Sequence, residues 1–91
     1  MGIFRKNQID EFTKITRNGR DAYVYQERDH RLEFQVETQA VGPRKIIYAS
    51  TVRAWLPPYE KDAITDEKRN EILKKIGVFF EVNGDTYVVL V

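Results

Sequence analysis

The cleanest periodicity in the chain lies at 31–38, where Leu32, Phe34 and Val36 alternate with Glu33, Gln35 and Glu37. Side chains of a strand point alternately to its two faces, so this segment predicts a strand with one face in a core and the other in solvent. Ahead of it, residues 21–27 put Tyr23 and Tyr25 on one face and Ala22 and Val24 on the other, and residues 12–16 are rich in β-branched types. Asn18-Gly19 between these two segments is the strongest turn signal, because a tight hairpin needs the positive φ that Asn and Gly tolerate. Glu27-Arg28-Asp29-His30 predicts a second, polar turn. Residues 1–11 mix charge with Ile3, Phe4 and Ile9 and predict no more than a loose segment or one helical turn.

Beyond the alternating strand, Gly42-Pro43 breaks regular structure. Ile46-Ile47-Tyr48-Ala49 then predicts a short strand, apolar on both faces as a strand inside a sheet is. Val52, Trp55 and Leu56 follow at a spacing that suits a helical turn with Ser50 as its N-cap, and that suits an edge strand as well. Pro57 and Pro58 must end whatever precedes them, which favours the short turn. After a charged loop at 59–64, Thr65 is placed to cap a helix whose first turn carries Asp66 and Glu67, suited to the positive end of the helix dipole. Ile72, Leu73, Ile76, Phe79 and Phe80 form one apolar stripe along it. Glu71 and Lys75 stand one turn apart and are expected to pair, and Gly77 costs the helix about 1 kcal/mol. Asn83-Gly84 suits either a hairpin turn or a left-handed helix cap; the stripe reaching Phe80 favours the cap. Residues 86–91 return as a last strand, which leaves a sheet edge open to pairing. The elements compose one α+β domain over residues 1–91, an antiparallel sheet of about five strands packed against one amphipathic helix.

Composition narrows the functions this fold can serve. A chain of 91 residues, 42% apolar and 32% charged, is the size and make-up of one folded domain that buries about two-thirds of its surface. It has no cysteine, which excludes disulfides and thiolate metal sites. No apolar stretch has the length of a signal-peptide core or a membrane span, so the expectation is a soluble, cytoplasmic protein without membrane contact. Net charge is +1: ten Lys/Arg against seven Asp/Glu through Arg53, then five against seven. That swing is too mild for the basic footprint of a dedicated nucleic-acid binder.

Catalytic signatures are missing. His30 beside Asp29 has the chemistry of a general acid or base, but its place in a polar turn reads as a solvated loop residue. Ser50 and Thr51 have no histidine or lysine at an interpretable spacing, and capping explains them better. No Gly-rich phosphate loop exists, and the carboxylates sit on solvent faces and caps. The chain is therefore not expected to be an enzyme or to hold a cofactor or metal. Tyr23 and Tyr25, with Arg17, Arg20, Arg28 and Arg31 at the strand ends, could form a base-stacking platform for a nucleic acid, and this is the alternative reading. Protein binding suits Trp55, Pro57, Pro58 and Tyr59 beside Glu60, Lys61 and Asp62, since rigid aromatics anchor interfaces. Within that group Trp55 is expected in the core and Tyr59 at the contact.

Gly42-Pro43, Ile46-Ile47-Tyr48-Ala49, the run Val52-Arg53-Ala54-Trp55-Leu56-Pro57-Pro58 and the helix opening near Asp66 with Ile72 and Ile76 together resemble a small bacterial immunity-protein family, immunity protein 74. The family is found beside polymorphic toxins, including those of contact-dependent growth inhibition. The resemblance runs from about Tyr23 to the end and is most specific from Ile47-Tyr48-Ala49 to Trp55-Leu56-Pro57-Pro58. It implies a non-enzymatic cytoplasmic antitoxin that binds the toxin domain of a larger effector, a nuclease such as a tRNase. Inhibitors that cap basic nuclease clefts tend to be acidic, whereas this chain is near neutral. The expected contact region is therefore the acidic segment 60–71, with Tyr59, Glu60, Asp62, Asp66, Glu67 and Glu71 as candidate residues.

Overall fold

The alternating segment is β4 (His30–Thr38), with Leu32, Phe34 and Val36 buried and Glu33, Gln35 and Glu37 exposed. The computed structural model of the protein describes residues 8–91; Ile3 and Phe4 lie outside the described residues. Around β4 the strands follow chain order: β1 (Gln8–Asp10), β2 (Thr13–Arg17), β3 (Ala22–Glu27), β4, β5 (Lys45–Tyr48) and β6 (Tyr87–Leu90). One helix, α1 (Asp66–Val82), crosses between β5 and β6. The class is α+β as expected, but among the described residues the sheet has six strands and is mixed, not a five-stranded antiparallel one. Residues 8–10 supply the extra strand where a loose segment or helical turn was expected. The helix carries the chain back to the end where β5 began, so β6 pairs parallel to β5.

The turns follow local chemistry with one exchange of roles. Asn18-Gly19 lies in a four-residue turn between β2 and β3, with φ +103° at Gly19 alone. The Arg17 guanidinium clasps it by donating to the carbonyls of Gly19 and Arg20, both at 2.9 Å. The tight turn is instead Arg28-Asp29, between Glu27 and His30, with Arg28 at φ +55°. That region of φ is costly for a residue with a Cβ, and the Arg28 guanidinium is held there 3.7 Å above the Phe12 ring. Asn83-Gly84 ends α1. The Gly84 N–H donates to Glu81 O and the Asp85 N–H to Phe80 O, with Gly84 at φ +80°, which is the Schellman arrangement.

The stretch after β5 differs from expectation. Ala49–Thr51 is a 3₁₀ turn without a side-chain cap, so Ser50 does not serve as one. The Thr51 hydroxyl donates to Tyr48 O at 2.7 Å and accepts from the Gln35 N–H at 2.9 Å, which ties the turn to β4. Residues 52–56 are not helical. Val52 and Trp55 both reach the core from a segment that runs beside β4, with the Leu56 N–H donating to Arg31 O at 2.7 Å.

The core lies between α1 and the inner sheet face. Ile72, Ile76, Phe79 and Phe80 of the helix meet Ile15, Tyr23, Tyr25, Leu32, Phe34 and Ile47 of the strands. Tyr23 stacks on Phe34 at 5.8 Å and takes Phe80 edge-on at 5.5 Å. Tyr23 is 4% exposed and Tyr25 0%. These tyrosines are core side chains, and the base-stacking platform proposed for them from sequence is corrected on that ground. Gly77 is buried where the helix passes over Tyr87; a Cβ there would lie 2.7 Å from Tyr87 Cζ. Gly77→Ala should therefore destabilise the protein by about 1–2 kcal/mol in urea unfolding despite its better helix propensity, because the Tyr87 ring is displaced. Adding Tyr87→Leu should recover part of that loss.

Candidate protein-binding site

The acidic residues marked by sequence lie on two consecutive pieces of chain, the loop 57–65 and the first turns of α1. The loop begins at Pro57-Pro58 and turns through a Tyr59 N–H to Leu56 O bond and an Asp62 N–H to Tyr59 O bond. It is held against the sheet by His30, the first residue of β4. The His30 ring stacks on Tyr59 at 3.8 Å between centroids and 22° between planes. It also meets Trp55 edge-on at 5.1 Å, and its Nε2 lies 2.8 Å from Asp62 Oδ2. A carboxylate only accepts, so that nitrogen carries a proton. Trp55, 6% exposed, is the floor of the stack and touches Tyr25 beneath it. His30 is thus a clasp, not the solvated turn residue expected.

The helix start is fixed independently. The Thr65 hydroxyl caps it by accepting from the Lys68 N–H at 3.1 Å. Arg69 donates through Nε to Val52 O at 3.1 Å and lies 3.3 Å from Asp66 through Nη1. Between the loop, the β3–β4 turn and α1 is a shallow hollow of about 340 Å³, lined by Glu27, Arg28, His30, Trp55, Ala63 and Lys68.

One wall of that hollow is an ion network joining sheet and helix. Lys68 Nζ reaches Glu27 Oε2 and Glu71 Oε2, both at 2.6 Å. Lys75 Nζ lies 3.1 Å from Asp10, 3.7 Å from Glu27 and 3.3 Å from Thr13 Oγ1. The Tyr25 hydroxyl donates to Glu27 Oε1 at 2.6 Å. Burial alone would raise the Glu27 pKa, but the hydrogen bonds from Lys68 and Tyr25, with the charges of Lys68 and Lys75, hold it below the usual carboxylate value. For Lys68, burial pulls the pKa down while Glu27 and Glu71 lift it, and the net shift is upward. Burial, reinforced by the Glu27 carboxylate, pushes the Tyr25 hydroxyl far above its ordinary value.

The structure thus sorts the six candidate residues. Glu60, Asp66 and Glu67 are exposed. Tyr59 and Asp62 stand beside them but also build the His30 clasp. Glu71 is turned toward the network, paired with Lys68 three residues earlier and not with Lys75, which the sheet takes instead. Sequence reasoning missed His30, Glu27 and Lys75. Their partners lie tens of residues away, and no local spacing announces such a contact. The loop and helix start present exposed carboxylates with Tyr59 beside them and a shallow hollow behind. Among the described residues no cluster of His, Asp and Glu could hold a metal ion, and no helix is long and apolar enough to cross a membrane.

No curated protein and no solved structure matches the chain. A family model does, that of Immunity protein 74, over residues 14–89. The match takes in β3 to β5, the crossover helix and the whole loop with its acidic rim, and it begins well ahead of Tyr23. The protein belongs to the Immunity protein 74 family.

Proposed function

We propose that this immunity protein neutralises one cognate toxin domain by tight one-to-one binding in the cytoplasm, and that the toxin is a nuclease, such as a tRNase delivered by contact-dependent growth inhibition. Family membership supplies the immunity role. The finer reading rests on one observation, the exposed carboxylates of Glu60, Asp66 and Glu67 displayed on a loop and helix start that the His30 clasp and the Thr65 cap make rigid. A nuclease binds a polyanion, so a basic cleft or rim on it is complementary to such a surface, and complementarity of this kind speeds association and selects the partner. Rigidity matters because ordering a loop on binding subtracts from affinity. Inhibition without chemistry agrees with His30, whose ring and Nε2 are both engaged in holding the loop.

Titration of the purified toxin domain of the neighbouring effector tests this surface. Wild-type chain should bind it at 1:1. Glu60→Lys and Glu67→Lys should each weaken binding by about tenfold or more, mostly through slower association. Glu60→Lys should melt as the wild type does, and Glu67→Lys slightly lower, because it sets a cation at the helix N-terminus. No binding by the wild type would end the reading. Binding that ignores both reversals would place the contact elsewhere.

A further inference from the structure

Among the described residues the sheet has two open edges, β1 and β6, and they are built differently. β1 carries Asp10 and breaks register with β2 between Gln8 and Asp10. A charge and a register irregularity are two of the devices that stop an edge from pairing with another chain. β6 has neither. Thr86-Tyr87-Val88-Val89-Leu90-Val91 contains no charge and no proline, and β6 pairs with β5 residue for residue. Thr86 O accepts from the Lys45 N–H at 2.9 Å. By the two-residue alternation of a strand, the backbone groups of Tyr87 and Val89 therefore point away from β5.

The side chains along this edge are apolar on both faces. Val88 is 38% exposed and Leu90 47%, and the register sets them beside Ile46 and Tyr48 on the face away from the helix. On the helix side a groove of about 380 Å³ runs along the same strand, with Leu73, Val89 and Val91 in its lining.

We infer that β6 is a self-association edge, which pairs antiparallel with β6 of a second copy of this chain about a two-fold axis. The charge pattern selects this occupant. A basic toxin surface finds its complement in the acidic rim and gains nothing from an uncharged strand. The strand itself meets an identical strand without like-charge repulsion, and its exposed valine and leucine then cover one another. With Val89 on the axis, Val88 lies opposite Leu90 of the other copy and Tyr87 opposite its Val91. The choice of occupant rests on the acidic-rim reading of the proposed function, and measuring the chain alone keeps the two readings separable.

Sedimentation of the isolated chain over a dilution series tests it. Wild type should give twice the 10.7 kDa of the chain at high concentration and dissociate on dilution. Val88→Lys combined with Leu90→Lys should give the single-chain mass at every concentration, with an unchanged circular-dichroism spectrum. Leu90→Ser, a milder change, should shift the dissociation midpoint to higher concentration without removing the dimer. A wild type that stays at the single-chain mass throughout would overturn the inference, and so would a dimer indifferent to both variants. A monomeric wild type whose toxin binding is lost in the lysine variant would assign the edge to the toxin and overturn self-pairing too.

Discussion

Trp55→Ala is expected to remove about 3–5 kcal/mol of stability, the range for deleting a large buried aromatic. A domain of this size has about 5–15 kcal/mol in total, so the variant should unfold at far lower urea or be largely unfolded at physiological temperature. The size of the effect follows from position. Trp55 is 6% exposed and lies between Tyr25 in the core and His30 at the surface. Removing it opens a cavity and takes away the floor on which His30 and Tyr59 stack. Stability and the acidic rim should therefore fail together: any folded fraction should show altered His30 ring resonances and weaker toxin binding. Trp55→Phe keeps part of the floor and should cost less than half as much. A Trp55→Ala protein that unfolds at the wild-type urea concentration would refute this account of the loop.

The second large effect is at Glu27, one carboxylate serving Lys68, Lys75 and the Tyr25 hydroxyl. Glu27→Ala should cost about 2–3 kcal/mol, because hydrogen bonds to charged groups are worth more than neutral ones and the partners left behind are part-buried. Its pKa shift fixes the pH dependence. The folded-state value of Glu27 is below the unfolded one, so its contribution is present above about pH 4.3, the ordinary value, and is lost as pH falls through the folded pKa. Asp10 is also lowered; burial opposes the shift, while bonds from the Phe12 N–H and Lys75 drive it, and it adds to the same acid limb. Lys68 is raised, so its contribution is present below about pH 10.4 and is lost as pH rises beyond that. Stability against pH should form a plateau with an acid and an alkaline limb. In Glu27→Gln both limbs should become shallower, the acid one only in part because Asp10 remains. Urea midpoints across pH measure this, and an acid limb as steep in Glu27→Gln as in the wild type would contradict it.

Much of the frame was legible because it depends on neighbours in sequence. The alternation at 31–38 needs only two-residue periodicity to become β4, and the Thr65 cap and the Asn83-Gly84 stop act within one helical turn. The core position of Trp55 was legible, its local structure was not: Val52, Trp55 and Leu56 fall at helical spacing, yet Val52 and Trp55 reach inward from a non-helical segment beside β4 while Leu56 stays half-buried outside the core. The parallel pairing of β6 was not legible, since strand direction is set by where the crossover helix delivers the chain. Residues 8–10 offer one isoleucine, too little signal for a strand that forms only because β2 is beside it.

The same division holds at the site. Glu60, Asp66 and Glu67 could be marked because acid-rich sequence around a helix start is local information. The clasp could not, because His30 and Asp62 are 32 residues apart and His30 by itself resembles any polar turn residue. Glu71 was marked for contact with a partner and is engaged by Lys68, because the network that claims Lys68 and Lys75 spans β1, β3 and α1.

The measurement that tests the central claim most directly is growth of cells expressing the toxin domain of the neighbouring effector, with and without this chain. Growth should stop with the toxin domain alone and be restored by the wild-type chain, and the double variant Glu60→Lys, Glu67→Lys should fail to restore it at equal protein level. Cells that stop growing whether or not the wild-type chain is present would contradict the account.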